Sequence, residues 1–100
     1  MPNQTDNDAI VLEDLAATIV RIDIHYRRAD FNDKVNLKPE RDRAFNAYTQ
    51  ARLKLLEEGV VCTAADIEKM KSIRQAIVQA KTTQSLITGI GRLVGFLAAL

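Results

Sequence analysis

The sequence predicts an all-α fold: a three-helix antiparallel bundle with a long, apolar C-terminal helix. Three observations carry this expectation. Apolar residues recur at spacings of three and four in three separate stretches, which marks one buried face of a helix each time. Aromatic residues are scarce and Trp is absent, so aliphatic residues and Ala must fill the core, which suits helix packing. Helix starts and stops fall between the three stretches, at Pro39, Gly59 and Thr63. One hundred residues make one domain. It is expected over residues 7–100, after a disordered lead-in at residues 1–6.

The first helix is expected over about 7–29. Thr5 or Asp6 supplies a capping side chain, and Asp8 lies near the positive end of the helix. Leu12, Leu15, Ile19, Ile22 and Tyr26 form its apolar row. A strand-like alternation of Val20, Ile22, Ile24 and Tyr26 overlaps it. The helical row starts earlier and runs longer, which favours helix. Asp30 to Lys38 has no clean period and many turn formers, so it reads as a loop with Phe31, Val35 and Leu37 tucked onto the core. Pro39 suits the first position of a second helix, at about 39–58, where its missing N–H costs nothing. Ala44, Tyr48, Ala51 and Leu55 are the apolar row of that helix. Gly59 is a natural left-handed stop.

Thr63-Ala-Ala-Asp66 resembles a capping box, with Asp in place of the usual Glu. The third helix is expected from there to about residue 99. Its row runs Met70, Ile73, Ile77, Ala80, Gln84, Ile87, Gly91, Val94 and Ala98. A second row, Leu86, Ile90, Leu93, Leu97 and Leu100, opens from residue 86. The helix is therefore amphipathic at its start and apolar nearly all round at its end.

Composition narrows the function. A net charge of +1 is too weak to draw the protein to nucleic acid. The single cysteine, Cys62, excludes an internal disulfide and fits a reducing compartment. The polar, acidic start has neither the basic region nor the apolar stretch of a secretory leader. Together these features give the cytoplasm as the expected location, with membrane association as a further option.

No constellation points to an enzyme, a cofactor or a metal. His25 and Cys62 are the only residues of their kinds. They form a conceivable nucleophile pair, but Cys62 beside two valines reads more simply as a small buried apolar residue. Gly89-Ile-Gly91-Arg-Leu-Val-Gly95 misses the dinucleotide spacing by one residue, and no strand leads into it. Arg21, His25, Arg27 and Arg28 lie among acidic neighbours, so they read as a solvated face.

The tail is the informative part. From Lys69 to Leu100 there is no acidic residue, only Lys69, Lys71, Arg74, Lys81 and Arg92. Gly91-x-x-x-Gly95, with Ser85-x-x-x-Gly89 before it, is a spacing that lets two helix backbones approach, and each helical glycine costs about 1 kcal/mol against Ala. The expected function is a small non-enzymatic interaction protein that forms a homo-oligomer or docks on a larger protein assembly. The expected interface is Leu86, Ile87, Ile90, Gly91, Leu93, Val94, Gly95 and Leu97. The alternative is a peripheral membrane protein, its last helix lying at the membrane surface with Lys81, Ser85, Thr88 and Arg92 toward the headgroups. On the first reading, a chain lacking residues 86–100 keeps its fold and loses association.

Overall fold

A computed structural model describes residues 3–100 of the chain. All the regular structure in it is helical. The helices are α1 (Asn3–Arg28), α2 (Phe31–Leu56), α3 (Ala64–Val78) and α4 (Thr83–Ala98). There are thus four helices where three were expected, and the last is among the shorter ones. Met1 and Pro2 of the expected lead-in lie outside the described residues, and α1 already includes Asn3 to Asp6.

The stretch read as a first loop belongs to α2. Asp30 caps it, its side chain accepting a hydrogen bond from the backbone N–H of Asp33 at 2.9 Å. The turn formers that suggested a loop are therefore a cap and an acidic first turn, both favourable at a positive helix end. Pro39 sits inside α2 on an exposed side, not at its start. Leu37 reaches the core as expected. Phe31 and Val35 do not: they are 78% and 58% exposed.

α2 ends at Leu56, and Gly59 turns the chain with φ +75. Only glycine adopts that conformation freely. Thr63 then starts α3 with the capping box read from sequence. Its hydroxyl accepts from Asp66 N–H at 3.2 Å, and the Asp66 carboxylate accepts from Thr63 N–H at 2.8 Å. The expected continuous third helix breaks after Val78. A second box, Thr82 with Ser85, starts α4. An unbroken helix over residues 63–99 would be roughly 55 Å long at 1.5 Å per residue. The whole protein is 49 Å in its longest dimension. Folding back instead places the leucine row of α4 against α2 and α3.

The helices form two hairpins lying side by side. α1 packs on α2 and α3, and α4 packs on the same two. Asp8 meets Cys62 at one end and His25 meets Ile77 at the other, so α1 and α3 run parallel. Leu37 shares a hollow with Leu86, and Lys54 one with Leu97, so α2 and α4 also run parallel. Gly89 lies on Ile77, and Arg92 lies by Ser72, so α3 and α4 are antiparallel.

Every helix feeds one core. Val11, Leu15, Ile19 and Ile22 come from α1, and Leu37, Ala44, Ala51 and Leu55 from α2. Met70, Ile73 and Ile77 come from α3, and Leu86, Ile90, Leu93 and Leu97 from α4. A fully buried aliphatic side chain of this size contributes about 1.5–3 kcal/mol. Thr18 is the one buried polar side chain among the described residues, and its hydroxyl donates to the Asp14 carbonyl at 2.7 Å. Polar ties fasten α1 to the end of the bundle that carries the α2–α3 loop. The Asp8 carboxylate accepts from Cys62 N–H at 2.7 Å, and Asn7 donates to the Cys62 carbonyl at 3.2 Å.

Candidate functional site

α4 has two unlike sides. Leu86, Gly89, Ile90, Leu93 and Leu97 face inward and are buried. Gln84, Thr88, Gly91, Gly95 and Ala98 face outward and are exposed. The outward five follow spacings of four, three, four and three, so they lie in one line along the helix. None is charged and none is larger than Gln.

The expected interface therefore divides. Leu86, Ile90, Leu93 and Leu97 are committed to the protein's own core. Ile87 and Val94 are half-buried against that core, and Val94 lies in a shallow hollow with Arg43, Ala47 and Gln50 of α2. Only Gly91 and Gly95 of the eight stand free at the surface. Removing residues 86–100 would strip four side chains from the core, so the truncated chain is expected to unfold rather than persist.

The glycines also divide. A Cβ built on Gly89 would lie 2.9 Å from Cγ1 of Ile77. That is closer than two carbons approach, so the α3–α4 packing requires glycine there. The contact glycine within the fold is thus Gly89, of the Ser85-x-x-x-Gly89 spacing, and not Gly91 or Gly95. A Cβ on Gly91 or Gly95 would meet nothing within 4 Å. Both have ordinary helical backbone, so neither conformation nor packing inside the chain calls for glycine.

Charge flanks the stripe on both sides, with Arg43 and Lys54 of α2 in the hollow beside Ala98. Arg92 points toward α3, with Nη2 3.4 Å from the Ser72 hydroxyl. Lys81, Ser85, Thr88 and Arg92 are all exposed, as a polar stripe requires. The apolar side opposite them is the side the bundle covers. Among the described residues no helix is long and apolar enough to cross a membrane.

The other constellations come apart. His25 donates from Nε2 to the Ile77 carbonyl at 2.9 Å, while Cys62 lies beside Asp8. Asp8 and His25 are separated by roughly 25 Å of α1 at 1.5 Å per residue. Burial, with the Asp8 carboxylate adding to it, pushes the Cys62 thiol up to about 12, which disfavours the thiolate. The basic group of α1 scatters. Arg27 pairs with Asp23 at 2.8 Å, and Arg28 is exposed. Arg21 has its Nε buried without a hydrogen-bond partner among the described residues. The described residues hold no cluster of three His, Cys, Asp or Glu suited to a metal.

Sequence reasoning missed Arg41 of α2. Its guanidinium lies 5.2 Å from the Tyr26 ring and 4.4 Å from the Phe45 ring, and donates to Asp23 at 2.9 Å. It ties α1 to α2. No local signal in the chain announces that cluster, because its members come from two helices.

No protein-family model matches the chain, and neither a curated protein nor a solved structure matches it.

Proposed function

We propose that this is a small non-enzymatic interaction protein that pairs with a second copy of itself through the outward stripe of α4. One observation carries the reading. Gly91 and Gly95 together sacrifice about 2 kcal/mol of helix propensity, and nothing among the described residues needs them to be glycine. A helix backbone arriving from outside would. Small residues at this spacing let two helices approach until their backbones touch. No residue of the stripe is charged, so the contact line itself sets no charge against its copy. Arg92 stays at the rim, on the α3 side.

A contact confined to one short helix falls in the small, transient class of interfaces, so the pairing is expected to be weak. A lipid surface fits less well. It would have to meet the leucine face, which is already inside the bundle.

Sedimentation equilibrium across a range of concentrations tests the proposal. The wild-type chain is expected to shift from monomer toward dimer as concentration rises. Gly95→Leu, which puts bulk on the stripe and leaves the core alone, is expected to remain monomeric. A wild-type chain monomeric at every concentration, or a Leu variant that pairs equally well, would remove self-pairing.

A further inference from the structure

A hollow of about 540 Å³ runs between α3 and α4 on the side away from α2. Its character differs from that of the stripe. Ile73, Phe96 and Leu100 give it an apolar floor, and Gly95 and Ala99 leave that floor uncrowded. Lys69 of α3 and Arg92 of α4 stand at its edge, both exposed. Neither has a carboxylate partner among the described residues; the only polar contact of Arg92 is the long one to Ser72. Asp66 is the remaining charged residue of the lining, and its Oδ2 is occupied by the Thr63 N–H in the capping box.

This combination is selective. An apolar floor alone would accept any greasy surface, and two cations alone would accept any small anion. Together they suit one molecule that carries both parts. Ligand sites are typically apolar hollows of about 300–1,000 Å³ with a few polar groups that fix orientation. A planar guanidinium and a mobile ammonium both hydrogen-bond well to a carboxylate.

We propose that this groove binds an amphipathic carboxylate of the fatty-acid kind. The head is held at Lys69 and Arg92, and the chain lies over Ile73, Phe96 and Leu100. The groove shares Gly95 with the stripe, but Lys69 and Ile73 belong to α3 and take no part in it, so Lys69→Glu tests the groove separately from self-pairing.

Decanoate, kept below its micelle concentration, is the probe, and amide shifts of the full-length protein in nuclear magnetic resonance are the readout. Saturable shifts are expected in residues 66–73 and 92–100. Lys69→Glu and Arg92→Glu are each expected to weaken binding roughly tenfold, the loss of one hydrogen bond to a charged group. Both side chains are exposed, so both variants should keep the wild-type melting temperature. Lys69→Glu should also leave self-pairing unchanged. Shifts spread over α1 and α2 would overturn the proposal. So would equal binding of decyltrimethylammonium or decanol, or an unchanged affinity in Lys69→Glu.

Discussion

The two hairpins keep their charges in opposite ways. In the α1–α2 hairpin acids and bases are paired: Asp23 with Arg27 and Arg41, Asp42 with Lys38 and Arg41, Glu40 with Arg43. The rings of Tyr26 and Phe45 flank Arg41 as well. The α3–α4 hairpin has no such internal pair among the described residues. Arg74 reaches across to Asp14 of α1 at 2.7 Å, while Lys69, Lys71, Lys81 and Arg92 stay open. What holds this hairpin is apolar: Ile77 under Gly89, and the leucine row of α4. The first hairpin thus pairs several of its acids and bases internally. The second spends its apolar residues inward and leaves small residues and unpaired cations outward.

The contrast is easiest to break at Ile77. Ile77→Ala should destabilise the protein by about 3 kcal/mol, because it removes a fully buried side chain and opens a cavity beneath Gly89. Urea unfolding measures it, and the loss should not depend on salt. A cost under about 1 kcal/mol would mean that apolar packing is not what fastens α3 to α4.

Acid should act on the other hairpin. The hydrogen bond from Arg41, with the charge of Arg27 beside it, holds the Asp23 carboxyl below its ordinary value of 3.8. A carboxyl lowered on folding stabilises the fold fully above its unfolded value. That contribution fades as pH falls through the folded one. Stability should therefore drop as pH falls below about 4, with Asp23 as one contributor. Asp23→Asn should cost about 1 kcal/mol at neutral pH, and the acid-side slope should flatten. An unchanged slope would show that the ties between α1 and α2 are ornamental.

The Thr63 cap bears on the second hairpin. Thr63→Ala should remove about 1 kcal/mol, the usual loss for an N-cap side chain, and thermal unfolding should register it. No change would mean that α3 does not depend on its box.

What could be read in the chain follows the range of each signal. The helical rows, the Thr63 box and the Gly59 turn are local, and each was visible from a few neighbouring residues. The break at residues 79–82 was visible in principle, since Thr82-Thr-Gln-Ser85 is also a box. The unbroken apolar row across it argued for continuity instead. The start of α2 was misread because Asp30, Asn32 and Asp33 serve a turn and a helix cap equally well. The candidate site was half legible. Spacing identified the tail as unusual, but it could not tell which of the two rows faced the core. That depends on where α2 and α3 lie. Spacing marked Gly89, Gly91 and Gly95 alike, and that Gly89 is the one packed within the fold is visible only once Ile77 is opposite it.

The most direct test replaces Gly91 and Gly95 together by Ala and measures stability and mass on one sample. Both positions are helical, exposed and open to a Cβ. In the monomer the change should therefore stabilise, by about 0.5–1 kcal/mol per site. If the stripe is a contact surface, light scattering should show dimer formation falling while the melting temperature of the dilute protein rises. A melting temperature that rises with dimer formation unchanged would contradict the account.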